Sequence, residues 1–319
     1  MLLRLFLYTG VKHQMNFLPV RIGTLRPGDI VNFNIFILIA DKYVHYIRTS
    51  DPFEPERIER LRAKGVKKLY IPDDSESAYL AYLDTGLSQL KNDQISVQER
   101  SSLVSSAMVT ESENALHNMQ TESGYKKTEE RVSKVVDFLT SESGALKNIL
   151  ASTGTALDNY QHSANVTSMA LGIAARLGVS QSRDILDLGI AGLLHDSALT
   201  KMGFAADFKW DKLAGEDLKK YHEHPVASAH QLAGKPYINR EILELIANHE
   251  EIGEGAGFPG KKRLSTMPLK QQVLNLCNNF EHYCSSKGLL PLDAAKSFLN
   301  EKIGLFDLEH IKILTSVLK

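Results

Sequence analysis

The run Leu186-Asp187-Leu188-Gly189-Ile190-Ala191-Gly192-Leu193-Leu194-His195-Asp196 carries the most information in the chain. It reads as the last turns of an apolar helix that ends on two adjacent ionisable residues. Side chains of this kind are seldom tolerated behind so apolar a stretch unless something satisfies them. An imidazole and a carboxylate side by side at a helix end can share one metal ion, and the carboxylate can reach a second.

Around this run the pattern is helical from residue 157 to the end. Apolar residues recur at helical spacing over 159–177, closed by Gly178, and Ser182 is placed to cap 183–195. Residues 215–222 make a short amphipathic helix, and Pro225 suits the first position of another over 226–233. Asn239 caps 240–250, residues 269–285 form a long helix, and 292–303 and 308–318 complete the series. A glycine-rich loop, Gly253-Glu254-Gly255-Ala256-Gly257-Phe258-Pro259-Gly260, interrupts it. His162, His195, His224 and His249 all fall at or near helix ends. One histidine on a helix is more often packed or solvated than a ligand. Four of them with Asp196 in one helical domain point to a metal site whose nitrogen and oxygen donors suit Fe, Mn or Zn. A carboxylate at Asp196 bridging two ions roughly 3.5–4 Å apart would polarise a phosphate and a water together.

The first part of the chain has a different texture. Residues 17–22 and 30–39 are rich in β-branched and aromatic residues and are separated by the turn Arg26-Pro27-Gly28-Asp29; after the turn 40–42, residues 43–48 read as a third strand, giving a meander. A helix over 54–64 stopped by Gly65, and a last strand over 67–71, complete a small α/β unit. Residues 75–152 are helical but polar, which predicts a connector of long helices, part of it facing a second copy of the chain in a homodimer. The expected fold class is thus α+β: a small N-terminal α/β regulatory domain over 1–80, a helical linker over 81–152, and an all-α bundle over 153–319.

The bulk properties exclude several classes. The 319 residues carry 37 basic and 38 acidic side chains, a formal net charge of -1, which argues against long nucleic acid as a partner. The apolar run at residues 2–8 is short, interrupted by Arg4 and followed by no convincing cleavage site, and no stretch approaches the ~20 apolar residues of a bilayer span. Residues 1–14 read as an extension ahead of a natural start at Met15. The two cysteines, Cys277 and Cys284, lie seven apart on one helix and fit no paired-thiol metal motif; two half-buried thiols and a cytoplasmic location are expected.

Taken in order, His162-Ser163, Leu194-His195-Asp196, Glu223-His224-Pro225, Asn248-His249-Glu250 and Gly257-Phe258-Pro259 resemble the motifs of the HD-GYP family, part of the HD phosphohydrolase superfamily. The resemblance spans about residues 157–284. It implies a helical bundle with two or three metal ions and hydrolysis of cyclic di-GMP. It also implies His162, His195, Asp196, His224, His249 and Asn278 as metal ligands, with Asp196 bridging and His195 and Asp196 central to catalysis. Two divalent ions are implied, Fe favoured and Mn possible. Asp158, four residues before His162, matches the carboxylate that some members use for a third metal, and at that spacing it would share His162's helix face.

Several positions depart from the family pattern. Asn278 replaces an aspartate ligand and Asn248 replaces one of two histidines. Leu199 stands where a substrate lysine is expected, with Lys201 two residues on. Phe258 replaces the tyrosine and keeps the ring; Gly257, with Gly255 and Gly260, would let backbone approach a ligand. Gln272 takes an arginine's place, with Lys270 nearby, and Glu251 reverses a charge. These changes remove groups that hold phosphates. Beside a phosphodiesterase, they fit a weak or inactive member acting as a cyclic di-GMP receptor or interaction module, with a diguanylate cyclase domain protein as a conceivable partner. An HD-type nucleotidase or ppGpp hydrolase fits the Glu223-His224-Pro225 and Gly257-Phe258-Pro259 elements less well.

Overall fold

The structure, a computed structural model of the full chain, describes residues 16–179 and 182–319. The reading of residues 1–15 and the capping side chain expected of Ser182 lie outside what is described. The chain divides into two compact units, one ending at Tyr82 and the other spanning Leu83–Lys319.

The first unit is an antiparallel sheet of β1 (Phe17–Arg21), β2 (Ile35–Ile39), β3 (Lys42–Ile47) and β4 (Lys68–Pro72), with α1 (Pro55–Ala63) between the last two. The β2–β3 hairpin turns on Ala40 and Asp41, both in the left-handed region. The strand expected over 30–39 begins only at Ile35. The order is β1-β4-β2-β3, so the expected meander is not formed. The α1 crossover carries β4 back between β1 and β2, and pairing on both edges satisfies its backbone better than an edge position would. Ile35, Ile47, Leu69 and Ile71 point with Phe33, Phe53 and Ile58 into one apolar core.

The helix α2 (Glu76–Ser88) opens the way to α3 (Val97–Asn118), α4 (Glu122–Ser141) and α5 (Ala145–Thr153). Their polarity predicts a solvated connector, and the structure corrects this. Val104, Ala107, Met108, Val132, Val135 and Ile149 lie in the same core cluster as the helices that follow, and α3 packs on α5 and α6. Several polar residues enter that core in pairs. The Ser105 and Thr153 hydroxyls meet at 2.6 Å, and Arg131 reaches Glu111 at 2.7 Å and Asp84 at 2.7 Å.

The bundle continues with α6 (Asn159–Arg176), α7 (Ser182–Leu194), α8 (Gly215–His230), α9 (Arg240–Ala247), α10 (Leu269–Lys287), α11 (Pro291–Lys302) and α12 (Leu308–Val317). Gly192 lets α7 lie closely on α6: a Cβ there would fall 2.6 Å from Thr167 Oγ1. That contact brings the C-terminal end of α7 beside the first turns of α6. Asn239 caps α9 by accepting the Ile242 N–H at 2.9 Å. The two short helices expected on either side of Pro225 are one helix, α8, with Pro225 inside it. Cys277 and Cys284 are fully buried on α10 rather than half-buried, and burial pushes both thiols up.

Candidate metal centre

Each site histidine is aimed by a specific backbone or carboxylate acceptor. Pro225 has no N–H, so the carbonyl of Tyr221, four residues back, loses its helical donor. The Nδ1 of His224 donates to that carbonyl at 2.5 Å. His195 follows the end of α7, where late carbonyls lack intrahelical donors; its Nδ1 donates to Gly192 O at 2.7 Å. His249, just past α9, does the same to Ile246 O at 2.7 Å. His162 donates Nδ1 to the Glu281 carboxylate on α10 at 2.5 Å. In neutral imidazoles all four Nε2 atoms therefore carry bare lone pairs.

Those lone pairs converge. His162 and His195 Nε2 are 3.2 Å apart, and His224 and His249 Nε2 are 2.9 Å apart. Asp196 lies between the pairs and divides its oxygens. Oδ1 is 3.0 Å from His224 and 3.5 Å from His249; Oδ2 is 3.5 Å from His195 and 3.8 Å from His162. Asn278 Oδ1 stands 2.9 Å from His162 Nε2. Lone pairs and an anion directed at common points repel one another unless a cation lies between them. Ligand atoms about 2.1 Å from one ion sit about 3–3.4 Å from each other, which matches the spacings here. Two sets, His162/His195/Asp196 and Asp196/His224/His249, thus form sites that could each hold an ion. Asp196 Oδ1, buried and without a well-formed hydrogen bond, is the clearest sign of a missing positive partner.

The electrostatics agree. Burial works against ionising Asp196, yet the His195, His224 and His249 rings hold its carboxyl well below the usual range. Burial, reinforced by the neighbouring His249 and His162 rings, drives His195 down to about 3 against the opposing pull of Asp196. At His162 burial acts the same way, but the Glu281 carboxylate outweighs it and lifts the ring to about 9.

Four residues with no role assigned from sequence complete the surroundings. Glu281 orients His162, as outer carboxylates orient metal-ligating imidazoles. His282 stacks on His162 with ring centroids 4.3 Å apart. Glu250, beside His249, accepts the Tyr221 hydroxyl at 2.8 Å and lies 3.7 Å from His282 Nε2. Burial opposes charge on Glu250, and His282 and His249 hold it below the carboxylate range. The only signals in the sequence were spacings: Glu281 is three residues after Asn278, and Tyr221 three before His224, each on one helix face. Replacing Glu281 by Gln is expected to weaken metal binding about 10- to 100-fold, read by competitive metal titration; unchanged affinity would remove it from the site.

Of the other expected residues, Phe258 comes beside the candidate ligands, its ring centroid 6.3 Å from that of His224, while Lys270 is held elsewhere. Lys270 binds Asp184 at 2.7 Å and Glu241 at 2.5 Å. Asp184 precedes His195 by eleven residues on α7, about 16 Å at helical rise. Lys201 is exposed in the turn after fully buried Leu199. Asp158 is not on a helix face: with extended backbone (φ -146, ψ 166) it caps α6 and accepts the Gln161 N–H at 2.9 Å, although it lines a cleft that His162 also reaches. Gly257 approaches protein backbone rather than open space. Phe258 packs on the His222 ring, centroids 4.2 Å apart. Glu251 is fully buried and accepts the Gly260 and Lys262 N–H groups, so it braces the glycine-rich loop. Gln272 donates to the Leu264 and Met267 carbonyls, and Asn248 to the Glu244 carbonyl.

Comparison with known proteins agrees with this architecture. An HD domain family model matches residues 144–302. The solved structure of Bd1817, described as an HDG"Y"P protein from Bdellovibrio bacteriovorus, superimposes with a TM-score of 0.77 at 25% identity, covering 95% of this chain and 99% of that one. No curated protein matches the chain. No helix among the described residues is long and apolar enough to cross a membrane.

Proposed function

Because the chain belongs to the HD-GYP family and has the build of a metal-dependent HD phosphohydrolase, we propose that it is a phosphodiesterase acting on cyclic di-GMP. The observation that carries the proposal is Asp196, whose two oxygens face two separate histidine pairs. Two divalent ions, iron favoured over manganese, would be held by His162, His195, Asp196 and Asn278 on one side and by Asp196, His224 and His249 on the other. They would supply Lewis acidity to a phosphoryl group and acidify a water. The chain's own part is to fix this donor set in place. Gly192 O, Tyr221 O, Ile246 O and Glu281 lock the four rings, so no ligand has to reorganise when charge develops on the phosphate. The pair Tyr221–Glu250 closes the site between α8 and the segment after α9.

A second reading has its own support. Among the described residues the ion pairs of Asp196 are all with histidines, and Lys270 is committed to Asp184 and Glu241. Phosphate recognition would fall almost wholly on the ions, which fits slow turnover or a receptor that passes nucleotide binding to a diguanylate cyclase domain protein or a second copy. Metal content and turnover of anaerobically purified protein separate the two. The phosphodiesterase reading expects two ions per chain and a linear dinucleotide product. Two ions with no product under iron or manganese selects the receptor.

A further inference from the structure

We propose that the cleft beside His162 and His282 is a base subsite that reads the Watson–Crick edge of a guanine, with Trp210 as its stacking wall and Asp207 and Asp211 as its acceptors. It rests on the cyclic di-GMP reading for the identity of the whole ligand, and on the cleft alone for the base. His162, Glu281 and His282 belong to its lining, so it adjoins the candidate metal ligands directly. Trp210, the single tryptophan of the chain, lies in the segment between α7 and α8, half-buried, its ring centroid 4.8 Å from that of His282.

That segment is tied down. Ala206 O accepts the Asn159 N–H at 2.8 Å, and Phe208 packs at 4.9 Å on Phe204 and 5.9 Å on Tyr221. A fixed aromatic wall is what base stacking requires, and it tolerates any base. Selection must come from the polar groups. Asp158, Asp207, Asp211 and Glu281 line the cleft against one ammonium, that of Lys209. Such a surface repels phosphate and attracts N–H donors. Asp158 caps α6 and Glu281 holds His162, which leaves Asp207 and Asp211, the latter in a loose exposed pair with Lys212 at 3.4 Å.

A purine edge distinguishes itself against carboxylates. Guanine presents N1–H and the N2 amino group side by side, two donors that one carboxylate accepts together. Adenine presents a lone pair at N1, which a carboxylate repels. Guanine also carries O6 next to N1–H, and Asn159, a residue of the cleft lining, has a side-chain amide whose Nδ2 lacks a hydrogen-bond partner and would meet it by turning outward. Wall, acceptors and donor thus match one base and mismatch the other, while the phosphates lie toward the candidate metal ligands.

The test is calorimetric titration of the manganese-loaded full chain with GMP and with AMP, run beside cyclic di-GMP turnover. GMP is expected to bind about tenfold or more tighter than AMP. Trp210→Ala should weaken GMP about tenfold, and Trp210→Phe should restore much of it. Asp207→Asn combined with Asp211→Asn should bring GMP and AMP together, with metal content checking that each variant is folded. Equal affinities in the unmodified protein, or variants that bind GMP unchanged, overturn the subsite even if cyclic di-GMP is hydrolysed. Discrimination that the variants lose, with no hydrolysis, upholds the subsite and overturns the phosphodiesterase instead.

Discussion

Asp196→Ala is expected to leave the protein unable to hold either ion. Both carboxylate oxygens are engaged, one toward each histidine pair, so a single truncation strips a ligand from both candidate sites. Loss of an outer partner that merely orients a ligand costs about 10- to 100-fold in affinity. Loss of a shared ligand costs more, and it costs it twice. The bare histidine pairs would then face each other with no anion to offset two cations. Metal analysis after desalting should fall from two ions per chain to near zero, and phosphodiester hydrolysis should fall with it. Thermal unfolding gives an independent reading. An ion present at a thousand times its Kd stabilises the folded chain by about 4 kcal/mol; the unmodified protein should show that upward shift on adding metal, and the variant should not. Two ions retained by Asp196→Ala would sink the assignment.

Three of the candidate ligands stand in local motifs whose orienting partner is also local. His195, His224 and His249 are aimed by carbonyls three residues back, so the chain near each histidine contains all that is needed to orient it. Glu281 and His282 act on His162 across a separation of more than a hundred residues, which no local pattern encodes. Pro225 shows how a sound rule misleads. Proline at a first helical position avoids a lost hydrogen bond, whereas here the lost bond is used: the carbonyl it frees holds His224. The polar helices α3 and α4 misled in the same way. Ser105, Glu111 and Arg131 read as surface until their partners are known, and those partners lie 20 to 48 residues away. The departures from the family pattern are similar. Glu251 and Gln272 look like an eroded substrate shell, yet both are engaged in satisfying backbone of the loop and the turn that follows it.

Gly257→Ala is expected to have the second largest effect, and for a reason specific to this loop. The backbone at Gly257 lies directly on the segment it has just left. An added Cβ would overlap Ile252 N and Glu250 O and come 2.6 Å from Glu251 Cα. All three obstacles are backbone, so no side chain can swing aside, and the cost should sit at the upper end of overpacking, about 3 kcal/mol. The damage is not confined to stability. Phe258 N–H donates to Glu250 O at 3.2 Å, and Glu251 holds the far side of the loop through Gly260 and Lys262. Pushing the loop off this surface moves Phe258 from its packing on His222 and disturbs Glu250, the carboxylate between His249, Tyr221 and His282. Metal stoichiometry should survive, because no candidate ligand is removed, while turnover and thermal midpoint both fall. If Gly257→Ala keeps the midpoint of the unmodified protein, the loop does not rest on residues 250–252 as described, and Phe258 is free to act on a ligand.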